Sequence, residues 1–111
     1  MKQISIFKNP NFGEIRTAVD ENGNILFCLK DVCNALGIQN SRNVMRTLHP
    51  KGVHSIDTLT DGGVQKLTFV NEPNLYRCIF QSRKKINEIA LINFKALILK
   101  SHENFVYLKH H

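Results

Sequence analysis

The chain has 111 residues, with 15 Lys and Arg against 9 Asp and Glu, and therefore a formal net charge of +6. A folded chain of this length buries about two-thirds of its surface, which is enough for one hydrophobic core and too little for two ordinary domains. The composition, 42% hydrophobic and 22% charged, is that of a globular protein and argues against wholesale disorder. No apolar stretch has the length of a signal peptide or a membrane span, so we expect a soluble, intracellular protein.

The first predicted element is a β-hairpin. Residues 12–19 alternate between apolar and polar side chains, residues 20–24 favour a turn, and residues 25–29 form an apolar run typical of a buried strand. The turn contains Asn22 and Gly23, and this pair between apolar strands is a good hairpin signal because both residues tolerate positive φ.

Two short helices with a tight connector are predicted next, at residues 30–36 and 41–48. Gly37 is placed to end the first helix in the left-handed conformation. Ser41 is a residue type that caps helix N-termini, and Pro50 lies just beyond the expected end of the second helix. The pair has the dimensions of a helix-turn-helix.

A second hairpin is predicted from strands at residues 53–59 and 64–70. Pro73 then favours the first turn of a helix that runs to Gln81. A final helix, about residues 86–100, is apolar nearly all round, which is typical of a central helix or of one packed on a partner. The elements predict an α+β fold: two β-hairpins combined with short helices, including the helix-turn-helix-like pair, and a C-terminal apolar helix.

Little in the sequence indicates catalysis. Cys28, Cys33 and Cys78 lie in apolar strings without a Cys-x-x-Cys pair, so we expect buried free thiols rather than a disulfide framework or a zinc site. The histidines lack the spacing of metal ligands, and no nucleophile-elbow or phosphate-loop pattern is present. We therefore expect a protein that is not an enzyme and that holds neither a metal nor a cofactor.

Positive charge is concentrated in two segments without any acidic residue, residues 32–56 and residues 77–85. Both are rich in side chains that bind phosphates or base edges. The predicted DNA-binding residues are Gln39, Asn40, Ser41, Arg42, Asn43, Arg46, Arg83, Lys84 and Lys85. Two other interpretations stay open, since most short helical hairpins bind no DNA and cations are also favoured at a helix C-terminus by the helix dipole.

Four sequence blocks occur in an order that resembles a known family. They are FKNPNFGEIRT (residues 7–17), LKDVCNALG (29–37) followed by Asn40-Ser41-Arg42 and Arg46, GVQKLTFVNE (63–72) and LYRCIFQSRK (75–84). Together they resemble the N-terminal domain of the BRO family, the Bro-N module of large DNA viruses, phages and prophages. The resemblance implies an α+β DNA-binding module, often joined to a separate C-terminal domain in phage antirepressors. It places Arg42 and Arg46 on the family's basic helix, and Arg83 and Lys84 on its Ser-Arg-Lys segment.

The chain is expected to depart from this family after Lys85, because the Trp-containing helix typical of such proteins is absent. We therefore predict a Bro-N-like module over residues 1–85 and a divergent apolar helix and tail over residues 86–111, within one domain and with no effector domain following. The apolar segment from Ile86 to Leu99 favours a homodimer.

These observations predict a DNA-binding domain of phage or prophage antirepressor type that takes part in transcription regulation. Its expected partner is double-stranded DNA, its expected location is the cytoplasm of a bacterial host or another host interior, and no membrane contact is expected. The alternative is a protein-interaction module that captures a repressor without binding DNA. A DNA-acting enzyme is a distant third, since no carboxylate cluster supports it.

Overall fold

The structure is a computed structural model that describes residues 3–9 and 13–81. Its elements, in chain order, are β1 (Ser5–Asn9), β2 (Gly13–Val19), β3 (Ile25–Cys28), α1 (Leu29–Leu36), α2 (Ser41–Met45), a 3-10 turn (Pro50–Gly52), β4 (Val53–Thr60), β5 (Gly63–Val70) and α3 (Glu72–Gln81). The strands of the described residues form one antiparallel sheet in the order β1-β2-β3-β5-β4. The α+β prediction is confirmed.

Both predicted hairpins are present, and they belong to the same sheet. The turn between β2 and β3 is held by Asp20, whose carboxylate accepts the backbone N–H groups of Asn22 and Asn24 at 2.9 and 2.8 Å. Gly23 takes a φ of 84° there, as the Asn-Gly pair predicts. The β4–β5 hairpin is longer and joins β3 through only two residue pairs.

Helix α1 begins where the short strand β3 ends, and it contacts both β2 and β5. Since β3 stops after Cys28, the strands on either side of it have no strand between them beyond that point, and α1 packs there instead. The main hydrophobic core forms between this helix, α3 and the sheet. It contains Ile15, Phe27, Val32, Leu36, Val44, Val70, Leu75 and Cys78 among other buried residues.

A second buried cluster consists of Ala18, Leu26, Cys28, Ile56 and Phe69. Successive residues of β3 alternate between the two clusters, so this strand is buried on both faces. That position explains its continuous apolar run, which lacks the alternation of a strand with one solvated face.

The three cysteines are buried free thiols, as predicted. Burial raises the pKa of Cys33 to about 11 and that of Cys78 to about 12. It also raises the pKa of Cys28. Thiols with such pKa values are protonated at neutral pH and are poor nucleophiles. Within the described residues, no helix is long and apolar enough to cross a membrane.

Two predictions about the second helix are wrong. It ends at Met45 rather than at residue 48, because the hydroxyl of Thr47 donates to Val44 O at 2.7 Å and the chain continues in tighter turns. Its N-cap is Asn40 and not Ser41, which is already the first helical residue. Strand β1 was not predicted at all. The predicted helix of residues 86–100 lies outside the described residues.

Candidate nucleic-acid interface

Helix α1 is capped at its C-terminus by Gly37, which adopts a φ of 71° and begins the connector to α2. Its N–H donates to Asn34 O at 3.3 Å, and the N–H of Ile38 donates to Cys33 O at 2.8 Å. This left-handed ending is the one predicted from the sequence. Only four residues, 37–40, separate the two helices, so that α2 starts close to the end of α1.

Helix α2 has five residues and is fixed by contacts outside its own backbone. The side-chain oxygen of Asn40 accepts the N–H groups of Arg42 and Asn43 at 3.1 and 3.3 Å. Val44 is buried in the main core, as is Leu48 just beyond the helix. Because a helix this short is unstable by itself, these contacts determine how its exposed face is presented.

Helix α2 and the turns that follow it, residues 41–49, are called the α2 segment below. Its end is held by Asn74 of α3, a polar residue with no exposed surface. Its Oδ1 accepts the N–H of His49 at 2.9 Å, and its Nδ2 donates to the carbonyl of His49 at 3.0 Å. Farther along α3, Gln81 donates to the hydroxyl of Thr47 and Arg77 donates to its carbonyl at 3.5 Å. The α2 segment and α3 therefore form one hydrogen-bonded unit.

The exposed face of α2 forms a ridge between two concave surfaces. Arg42, Asn43 and Arg46 are all exposed on this helix or at its end. On one side lies a groove of about 450 Å³, which we call the cationic groove. It is lined by Leu29, Lys30, Cys33, Asn34, Ile38, Gln39, Ser41, Arg42, Met45, Lys66, Leu67 and Thr68, with no carboxylate among them.

On the other side of α2 is a wider, shallower concavity. It is lined by Gly37, Ile38, Gln39, Asn40, Asn43, Val44 and Gln81. The structure thus divides the predicted contact residues between two surfaces: Ser41 and Arg42 face the cationic groove, and Asn40 and Asn43 face the other side. Gln39 lines both, whereas Arg46 lines neither.

Arg16 and Asp31 form an ion pair near the groove, so that their two charges neutralise each other. Arg16 donates through Nε and Nη2 to Asp31 at 2.8 Å each, and the backbone N–H of Arg16 adds a third bond at 2.9 Å. Burial acts to raise the pKa of Asp31, but the hydrogen bonds from Arg16 outweigh it and the pKa is lowered. Hydrogen bonding to Asp31 in turn raises the pKa of Arg16.

Three further cations line the cationic groove: Lys30 from α1, Arg42 from α2 and Lys66 from β5. Among the described residues, none of the three has a carboxylate within ion-pair distance. The acidic residues nearby, Asp31 and Asp61 among them, line an adjacent concavity that shares Lys30 with the groove. The groove therefore has an excess of positive charge.

Sequence reasoning did not identify Lys30 or Lys66 as site residues. Lys30 lies in the block LKDVCNALG beside Asp31, which accepts a hydrogen bond from the backbone N–H of Arg16. Lys66 lies on a strand whose neighbours are unknown until the sheet order is known. The predicted contacts Arg83, Lys84 and Lys85 lie outside the described residues. Within the described part of the chain, no three His, Cys, Asp or Glu side chains are grouped to hold a metal ion.

Comparison with known proteins identifies the family. The model of the BRO family N-terminal domain matches residues 14–101. An uncharacterized protein of Haemophilus influenzae is 43% identical over 88 residues, which are 76% of this chain and 43% of that protein, so the chain spans less than half of this relative's length. No solved structure matches the chain. The family match continues beyond Lys85 to residue 101. The chain belongs to the BRO family, through its N-terminal domain.

Proposed function

We propose that this domain binds double-stranded DNA and takes part in transcription regulation of the phage-antirepressor type. The observation that carries the proposal is the ridge of α2, which exposes Arg42 and Arg46 beside a groove with three cations and no carboxylate. Membership of the BRO family supports it. Such a surface attracts a polyanion, and the phosphate backbone supplies most of the affinity of DNA-binding proteins.

The size of α2 limits what it reads. Five helical residues extend about 7.5 Å along the axis, and the major groove of B-DNA is about 12 Å wide. One turn of helix therefore reaches only a few base pairs. Gln39 and Asn43 supply the amide groups that pair with base edges, while the arginines bind phosphate or guanine. We expect modest sequence preference on top of strong electrostatic binding.

The test is a fluorescence anisotropy titration on random duplex and single-stranded DNA over a range of salt concentrations. If about four phosphates are neutralised, log affinity falls with log salt at a slope of about −3.6. The double variant Arg42→Ala/Arg46→Ala then has a slope of about −1.8. Lys51→Ala is the matched control, since Lys51 is exposed but lies in the 3-10 turn beyond α2 and lines neither surface. Absence of duplex binding at low salt, or a double variant indistinguishable from the control, contradicts the proposal.

The alternative function is capture of a repressor protein without DNA, through the apolar segment from Ile86 to Leu99. That segment lies outside the described residues. Deletion of residues 86–111 separates the two functions: repressor capture is lost, whereas the DNA-binding surface of α2 retains affinity. Circular dichroism of the truncated chain must accompany the measurement, so that loss of folding is recognised.

Two further parts of the proposal have their own tests. A homodimer through the segment from Ile86 to Leu99 predicts twice the monomer mass in light scattering, and a monomer mass at all concentrations contradicts it. A non-enzymatic role predicts that supercoiled plasmid stays intact with the protein and Mg²⁺. Nicked or linear product that follows the protein through purification contradicts that role.

A further inference from the structure

Three cations that are distant in the sequence meet at the cationic groove. Lys30, Arg42 and Lys66 come from α1, α2 and β5, and all three are exposed. Their neighbour Asp57 is paired in register with Lys66 across the β4–β5 hairpin. Asp57 does not line the groove, however, and the two side chains form no ion pair within the described structure.

Such a cluster of like charges is unfavourable without an anion. Like charges that line one groove repel each other, and an anion bound between them converts the repulsion into attraction. Neutral donors stand around the same groove, namely Asn34, Gln39, Ser41 and Thr68. These are the side-chain types that hydrogen-bond phosphate oxygens in protein–DNA interfaces.

The rest of the lining indicates which anion fits. The groove also contains apolar side chains, among them Ile38, Leu67 and the exposed Met45. A free phosphate ion has no apolar atoms that could contact these side chains, whereas the deoxyribose rings on either side of a backbone phosphate do. A volume of about 450 Å³ also exceeds what one phosphate ion occupies.

We propose that the cationic groove is a clamp for the sugar-phosphate backbone of duplex DNA, in which Lys66 of β5 completes a site begun by Lys30 and Arg42. This inference rests on the proposed function and adds to it a contact from the sheet. Because the clamp joins α1, α2 and β5, it fixes the orientation of α2 on the duplex. A backbone contact of this kind positions the protein without reading sequence.

The first experiment measures Lys66→Ala and Lys66→Gln against Lys51→Ala by salt-dependent anisotropy. Losing one phosphate contact reduces the steepness of the salt slope by about 0.9, which at about 0.1 M salt lowers affinity about eightfold. The loss is the same on every duplex sequence, since the contact is to the backbone. Lys30→Ala combined with Lys66→Ala is expected to reduce the steepness by about 1.8, because each lysine neutralises one phosphate of the backbone.

Two outcomes separate the clamp from the proposed function. If Lys66 variants behave like Lys51→Ala while Arg42→Ala/Arg46→Ala weakens binding, the clamp is wrong and DNA binding stands. If the wild-type domain binds no duplex, the proposed function fails and the clamp fails with it.

A second measurement identifies the source of the phosphate. Amide NMR signals of Ser41 and Thr68 are followed during titration with a short duplex and, separately, with inorganic phosphate. The clamp predicts shifts with the duplex at concentrations where inorganic phosphate has no effect. Equal or tighter binding of inorganic phosphate overturns the clamp and identifies a small-anion site. Circular dichroism of each variant confirms that these exposed substitutions leave the fold intact.

Discussion

Asn74→Ala is expected to destabilise the domain strongly, although the residue is neither apolar nor charged. Asn74 has no exposed surface, and its amide satisfies both backbone groups of His49, which lies 25 residues earlier in the chain. Truncation leaves two backbone groups without these partners, at about 1–3 kcal/mol each. The side chain of His49 is exposed, so water reaches part of the site. We therefore expect the lower half of that range, about 3 kcal/mol in total.

Urea denaturation followed by circular dichroism measures this change in the free energy of unfolding. Asn43→Ala is the matched control, because Asn43 is exposed on α2 and its side chain makes no hydrogen bond within the described structure. It is expected to change stability by less than about 0.5 kcal/mol. Asn74→Asp places a carboxylate oxygen against the carbonyl of His49, so its deficit relative to the wild type should shrink as the acid is protonated. A loss of stability for Asn74→Ala no larger than that for Asn43→Ala contradicts this prediction.

Three other predictions concern stability and reactivity. Asp31→Ala is expected to cost about 2 kcal/mol at pH 7, since it leaves the half-buried Arg16 unpaired. The pKa of Asp31 is lowered in the folded state. The contribution of the Asp31 carboxylate to stability is therefore complete above its ordinary pKa of about 4 and disappears as the pH falls through its lower pKa in the folded state. The free energies of unfolding of the wild type and Asp31→Ala should therefore converge in urea titrations at acid pH. Gly52→Ala should cost about 1–2 kcal/mol in the same assay, because an added Cβ overlaps the side chain of Asn71, which caps α3; an unchanged midpoint contradicts this. The three buried thiols should react with Ellman's reagent only after unfolding, and rapid reaction of the native protein argues against their burial.

Local sequence signals predicted the ends of elements at which a glycine takes a positive φ. Gly23 and Gly37 both take the positive φ that their positions required, and the hairpin and helix ends follow from them. Strand β1 carries no comparable signal. It is an edge strand that exists through its pairing with β2, and its short sequence with Lys8 is typical of a strand that avoids further pairing.

The candidate site was only partly predictable for a related reason. Arg42 and Arg46 belong to one acid-free segment, so their proximity is visible in the sequence. Lys66 joins Arg42 at the groove only because β5 pairs with β3 and α1 packs where β3 ends. That arrangement is a property of the sheet order, which no local pattern encodes. Asn74 was missed similarly, since its partner His49 is distant in sequence.

Substitutions of Asn40 distinguish two roles for this predicted DNA contact: hydrogen bonding to a base, or capping of helix α2. Its side-chain oxygen caps the helix, and loss of a cap costs about 1 kcal/mol. In a helix of five residues this loss lowers the population that presents Arg42, so Asn40→Ala should weaken DNA binding up to about fivefold. Ser caps about as well as Asn, and Asn40→Ser is expected to restore affinity. A base contact predicts the opposite, because the Ser hydroxyl cannot reproduce the paired donor and acceptor that an amide offers to adenine. Measured on random duplex, recovery with Ser assigns Asn40 to the helix, whereas a Ser variant as weak as Ala assigns it to the DNA.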